Sequence, residues 1–262
     1  MKNRTVLPNI YLIVILCLFY LPIILVILYS FNVSRISSVW EGFTLDWYRE
    51  LLRDRSMFEA LRNSLILAAL SSAAAGVVGT LGATGMARRR MRGGKAMEYL
   101  STLPIMIPEI ILGLVLLVFF SALGLPFGMV TLVIAHTIFC IPYVYLMVKA
   151  RLAGLDKSYV EAARDLGASE MRAFYDITLP LTAPAIVSGV LLSFAMSFDD
   201  VIISVFVTGA NTNTLPIKIY SQLKTGVTPK TNALCAVIFL VTVFLGGLSA
   251  WIARPRKKDI NI

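Results

Sequence analysis

The chain has 262 residues, 58% of them hydrophobic and 15% charged, with a mean hydropathy of +0.80. That is too apolar for a soluble domain of this length and places the chain in a membrane. The formal charge of +9 argues against nucleic acid as a partner, because the bases gather beside apolar stretches, where they orient helices at a lipid surface.

A bilayer core about 30 Å thick needs about 20 mostly apolar residues per helix. Six stretches qualify, at about 9–30, 64–87, 99–122, 126–148, 183–207 and 232–253. Their unbroken apolar runs predict helices, since barrel strands would alternate in segments of about ten residues. The expected fold class is therefore an all-α integral membrane protein with six transmembrane helices, a single membrane domain over 1–262. The first stretch follows Lys2 and Arg4, yet it is long and no A-x-A-like cleavage site follows it, which predicts a retained anchor. Of the 24 Lys and Arg residues, 16 fall on the side holding both termini, "RRRMRGGK" and residues 149–182, against 8 on the other. The positive-inside rule then puts both termini in the cytoplasm.

In chain order, the second span carries Gly76, Gly79, Gly82 and Gly85 at steps of three, a bare stripe for close helix approach inside the subunit or against a partner. The third opens "LPIMIPEIILG", where Pro104 and Pro108 predict a kink beside a cavity or protein surface. Glu109, about ten residues into that span, is expected about 15 Å deep, near the midplane. The single histidine, His136, reads as a satisfied interior residue in the fourth span, with no acid near it in sequence. Cys17, Cys140 and Cys235 lie inside spans without C-x-x-C spacing and read as packing residues; no metal site is expected.

Between the fourth and fifth spans, residues 149–182 hold five acids and five bases. Ser158 and Glu161 have capping-box spacing, Gly167 provides a helix end, and "SEMRAFYDI" predicts a second short helix leaving at a new angle before Pro180 and Pro184. Val160, Ala163, Met171 and Phe174 are its expected packing face. These features alone fit a solvated connector as well as a docking element, and Glu161 also fits a plain cap partner. The fifth span then places Ser193, Ser197, Asp200 and Ser204 on one helical face, with Asp199 beside them. Intramembrane acids are costly and usually line a path or meet a partner. No Lys or Arg within the spans balances Glu109, Asp199 or Asp200. A cation pathway, protonated acids, and acids capping a helix break all remain open.

"EAARDLGASEMRAFYDITLP" resembles, at Glu161, Ala162, Ala163, Gly167, Ile177, Leu179 and Pro180, the EAA motif in membrane subunits of bacterial ABC importers. The resemblance implies a type I importer transmembrane domain in which residues 158–180 form coupling helices docked on a separate ATPase. No G-x-x-x-x-G-K-[ST] phosphate loop is present, which fits a transport subunit that is not an enzyme and has no catalytic residues of its own. "LYSFN", "GFTLDWY", "SFDDVIIS" and "LPIKIYSQLKTGVTP" are similar to polyamine permease subunits of the PotC type. That likeness implies a bacterial inner-membrane protein working with a second permease subunit, a homodimeric ATPase that uses ATP and Mg, and an external polyamine-binding protein. The chain itself would bind no cofactor. Spermidine or putrescine would give Glu109, Asp199 and Asp200 a cationic partner, while another importer solute such as an amino-acid derivative, opine or metal chelate, or a stand-alone secondary transporter, are the competing readings.

Overall fold

A computed structural model describes residues 6–34, 39–88, 94–156 and 158–252, with side chains undescribed for Val6, Leu7, Arg88, Lys95 and 245–252. The helices are α1 (Val6–Tyr29), α2 (Asp46–Arg53), α3 (Arg55–Arg88), α4 (Gly94–Met106), α5 (Glu109–Ala122), α6 (Met129–Ala153), α7 (Ser158–Asp165), α8 (Glu170–Ala173), α9 (Leu179–Asp199), α10 (Ile202–Val207), α11 (Leu215–Thr225) and α12 (Pro229–Ile252). A π turn, Phe174–Thr178, joins α8 to α9. Among the described residues the only extended pairing outside helices is a bridge between Asn32 and Phe43.

Among the described residues, four helices are long and apolar enough to cross a membrane: Pro8–Tyr29, Arg55–Ala87, Met129–Ala153 and Glu170–Asp199. The expected third span is broken: Ala96–Met106 and Glu109–Ala122 meet at 109°. Pro108 is the reason. It has no N–H, it disfavours helical backbone at Ile107, and it takes an extended conformation (φ −53°, ψ 131°) from which its carbonyl accepts the first amides of α5. The straight-helix depth assigned to Glu109 therefore does not hold; it is the first residue of α5, half-buried beyond a sharp bend. The sixth expected span falls on α12, whose apolar stretch is described from Pro229 to Phe244.

The chain folds as two compact units. In the first, built from residues 1–57 and 221–262, α12 packs on α1 and α2. In the second, residues 58–220, α6 is central, packed on α9 and α4, and α10 packs on α5. Glycine sets these distances. A Cβ on Gly189 would meet Val144 Cα at 2.9 Å, one on Gly79 would meet Val144 Cβ at 2.9 Å and the Tyr145 amide at 3.1 Å, and one on Gly76 would meet Val190 at 2.8 Å. The upper half of the glycine stripe is thus packing within this chain, while Gly85 faces open space. The core around these contacts includes Leu132, Phe139, Val144, Tyr145, Val148 and Ile203.

Candidate functional site

The motif at residues 158–180 folds as a helix, a corner and a second helix, and its glycine has a specific task. Gly167 has φ +87°. Its amide donates to Arg164 O at 2.9 Å while Ala168 N donates to Ala163 O at 3.0 Å. This pair of bonds is the Schellman arrangement, which satisfies the last carbonyls of α7 and strongly favours glycine at that position, since it takes the left-handed conformation without a Cβ clash. Ser169 then starts the next helix, its hydroxyl accepting from Arg172 N at 3.3 Å.

Three expectations change here. Ser158 does not cap α7 with Glu161; it lies inside the helix, and its amide donates to Asp156 Oδ1 at 3.0 Å. That bond holds the exposed Asp156 carboxyl below its ordinary pKa of 3.8. The second helix is also not a short separate piece, because Glu170–Asp199 is one 30-residue helix. The π turn absorbs Pro180, which has no amide to give, and Leu179 N reaches back to Phe174 O. Met171, expected to pack, is 63% exposed, and Ala173 is buried in its place. Glu161, Ala162, Gly167 and Pro180 are exposed, while Ala163, Ile177 and Leu179 are half-buried. Leu166, at the tip of the corner, is 90% exposed. The sequence reading missed it, although a leucine beside the glycine of a helix corner is a visible signal. Behind the corner, a cavity of about 710 Å³ opens between the ends of α3 and α6 and this motif, lined among others by Thr84, Leu152, Tyr159, Glu161 and Ile177.

The acids of the fifth span lie in a different environment from the one their stripe suggested. The span is not continuous to 207: α9 ends at Asp199, Asp200 is extended (φ −68°, ψ 128°), and α10 begins at Ile202. Asp200 causes the break. Its Oδ1 accepts from Ile203 N at 3.2 Å, and its Oδ2 accepts from Ser204 N and the Ser204 hydroxyl, both at 2.9 Å. This is how an aspartate caps a helix start.

The stripe residues Ser193, Ser197, Asp200 and Ser204 do share a face, and that face is buried against α6 and α3. Ser193 Oγ donates to Cys140 O at 3.3 Å. His136, fully buried, has Nδ1 2.8 Å from Ser197 Oγ and Nε2 3.0 Å from Ser204 Oγ and 3.4 Å from Asp200 Oδ2. Ser197 Oγ lies 2.9 Å from Ser71 Oγ, which donates to Leu67 O at 2.7 Å. The histidine is satisfied, as expected, by two serine hydroxyls, with the Asp200 carboxylate, which sequence distance had concealed, close to its Nε2. Asp199 by contrast is exposed and has no hydrogen bond or ion pair among the described residues. Glu109 is half-buried, within electrostatic range of Asp200 and Tyr143.

Residues 75–258 match the family described as binding-protein-dependent transport system inner membrane component. The chain belongs to that family. It is 42% identical to the putrescine transport system permease protein PotI of Escherichia coli K12, over 100% of this chain and 97% of PotI. It is 41% identical to the spermidine/putrescine transport system permease protein PotC of the same organism, over 91% and 90% of the two chains, and 39% identical to PotC of Haemophilus influenzae, over 97% and 99%. A bacterial ABC transporter involved in import of the acidic polysaccharide alginate shares the fold, with a TM-score of 0.73 at 15% identity over 97% of this chain and 99% of that one. The MetNI methionine ABC transporter in an inward-facing form does so at 0.62, with 18% identity over 79% and 95%. Membership in this permease family makes the chain a transport subunit of an importer, with ATPase activity on a separate subunit.

Proposed function

We propose that this chain is the inner-membrane permease subunit of an ATP-driven importer for spermidine or putrescine, and that it forms half of a translocation path with a second permease. The carrying observation is its near full-length similarity to polyamine permeases, at 41–42% identity. Glu109 and Asp199 add a chemical reason: both are acids on spanning elements, neither has an intramembrane Lys or Arg beside it in sequence, and a polyamine brings several positive charges. In this reading Glu109 and Asp199 meet the cation. Asp200, Ser193, Ser197 and Ser204 hold the helix break in place, since their polar atoms are already occupied.

The proposed mechanism is alternating access. A loaded external binding protein delivers the polyamine, ATP with Mg closes a homodimeric ATPase, and residues 158–180 carry that closure into α9. Glu161, Ala162, Ala163, Gly167, Ile177, Leu179 and Pro180 build the docking corner, and the continuous helix beyond it supports transmission to the fifth span. Both termini lie in the cytoplasm, the two compact units act as one permease domain, and the chain binds no cofactor or metal of its own.

The test is ATP-driven uptake of labelled spermidine by proteoliposomes holding the full complex, with excess putrescine or spermidine as competitor. Uptake that both polyamines suppress supports the proposal. Absence of uptake, or indifference to both competitors, sends the substrate to another solute, and transport without ATP by the purified chain defeats the importer reading.

A further inference from the structure

The α1 helix crosses as an apolar rod, with none of its most apolar 18-residue window buried in the protein. Where it ends, the chain turns back at once. Val33 N donates to Gly42 O at 3.0 Å and Thr44 N to Phe31 O at 2.7 Å, which brings Phe43 back to the helix end. Asn32, fully buried, is the hub. Its Nδ2 donates to Val39 O, its Oδ1 accepts from Ser34 N and Glu41 N, and its carbonyl accepts from Trp47 Nε1 at 2.7 Å. These ties give "LYSFN" and "GFTLDWY" a structural purpose: they fix residues 39–45 and α2 beside the point where α1 leaves the hydrocarbon.

The α2 helix is strongly amphipathic. Trp47, Tyr48, Leu51 and Leu52 occupy one face, and Asp46, Arg49, Glu50 and Arg53 the other. Its roll is locked. Lys230 of α12 binds Glu50 at 2.9 Å and Asp54 at 3.0 Å, and Tyr48 OH meets Ser30 Oγ at 2.6 Å. With the roll set, Leu51 is buried but Leu52 stays 71% exposed, beside a ring stack of Tyr48, Phe31 and Phe43 in which Phe43 is 66% exposed. Trp40, edge-on to Tyr29, is also exposed.

We propose that α2 and residues 39–45 form an interfacial shelf seated in the phospholipid headgroup and upper acyl region at the end of α1. Three observations favour lipid as the occupant: the exposed apolar residues continue the lipid-facing surface of α1, they are rich in aromatic rings suited to a membrane boundary, and the adjoining helix is amphipathic in the manner of helices lying in that plane. The shelf sets the depth and tilt of the first span. Calling the leaflet external rests on the orientation proposed above; the shelf itself does not depend on the transported solute.

Spin labels in the full complex, reconstituted in phosphatidylethanolamine/phosphatidylglycerol vesicles, test this. Phe43→Cys and Leu52→Cys sample the apolar side, and Glu41→Cys and Arg49→Cys the polar side, in a Cys17→Ala, Cys235→Ala background; Cys140 is fully buried. The shelf requires a ratio of oxygen to aqueous-nickel accessibility several-fold higher at positions 43 and 52 than at 41 and 49. Equal aqueous access at all four positions overturns it. Shielding at 43 and 52 that arises only on adding the external binding protein also overturns it, and assigns the face to that protein. Trp40→Cys takes the place of Phe43→Cys if that complex does not assemble, and a failure of polyamine uptake leaves the accessibility pattern readable.

Discussion

Asp200 separates a structural account of the fifth span from a substrate-binding one. Asp200→Ala removes an acceptor used by two amides and one hydroxyl. Loss of a helix cap costs about 0.5–2 kcal/mol, and each buried donor left unsatisfied costs roughly 1–3 kcal/mol. The Ser204 hydroxyl can turn to His136 Nε2, already 3.0 Å away, so the net loss is about 2–5 kcal/mol. Asp200→Asn keeps a side-chain oxygen for the amides and is expected to cost about 1–2 kcal/mol.

The assay is denaturation of the assembled permease in detergent, run beside ATP-driven spermidine uptake with apparent KM and maximal rate. Asp200→Ala lowers the unfolding midpoint and the yield of assembled complex, Asp200→Asn does so slightly, and complexes that assemble keep the wild-type KM. Asp199→Asn behaves oppositely: its side chain is exposed and unpaired among the described residues, so stability is unchanged and the apparent affinity for spermidine falls. A several-fold rise in KM for Asp200→Asn at unchanged stability would refute the capping argument and make Asp200 a substrate group.

The corner of the proposed coupling motif gives a paired test: Gly167→Ala forces a Cβ into the left-handed region and costs about 1–2 kcal/mol, whereas Gly167→Asn recovers most of that, read as uptake at equal assembly. Leu166→Asp places a charge at the exposed tip and is expected to abolish stimulation of the ATPase by the permease while leaving permease unfolding unchanged. Gly79→Ala drives a Cβ to 2.9 Å from Val144 and 3.1 Å from a backbone amide, an overpacking cost of about 1–3 kcal/mol, while Gly85→Ala, facing open space, leaves the unfolding midpoint unchanged. The Asp156 carboxyl is held below 3.8 by the Ser158 amide. Its contribution to α7 is therefore complete above about pH 3.8 and lost as pH falls through the lowered folded value, which amide exchange at Ser158 and Tyr159 in acid would report, with Asp156→Ala removing the dependence.

What could be read from the sequence was whatever local chemistry decides. Gly167 was legible because only the preceding helix and its own φ are involved, and the break at Pro108 because a missing N–H needs no tertiary partner. Periodicity put Ser193, Ser197, Asp200 and Ser204 on one face but could not name what that face meets. His136 lies 61 residues from Ser197 and 68 from Ser204, and only the packing of α6 on α9 joins them. The expectation of a short, separate helix after Ser169 failed for a related reason. Propensity cannot tell a helix that stops before Pro180 from one that admits a π turn and continues, and contacts with α6 favour the continuous form. Asp200 carried a usable local signal, since an aspartate followed by "VIIS" can cap a new turn, and capping of a helix break was one of the readings the sequence left open.

The two breaks, at Pro108 and at Asp200, belong together. The helices that follow them, α5 and α10, pack on each other, and Gly113 makes this possible: a Cβ there would sit 2.6 Å from a Phe206 ring carbon. Each of these helices starts with an acid, Glu109 in the first turn of α5 and Asp200 capping α10, where negative charge meets the positive end of the helix dipole. Unwound backbone at membrane depth is tolerated only against protein or a water-lined cavity, so in the proposed reading the paired breaks, where half-buried Glu109 and exposed Asp199 lie beside the buried Asp200, are where a hydrated cation would be met. The mechanical consequence follows from continuity. The helix from Glu170 to Asp199 leads from the Gly167 corner to the His136 network without interruption except the π turn. It ends at an extended residue, so in the proposed cycle a push on the corner moves α9 against α6 while α10 stays with α5. Relative motion is thereby concentrated at Asp199 and Asp200, next to Glu109, where the polyamine would pass.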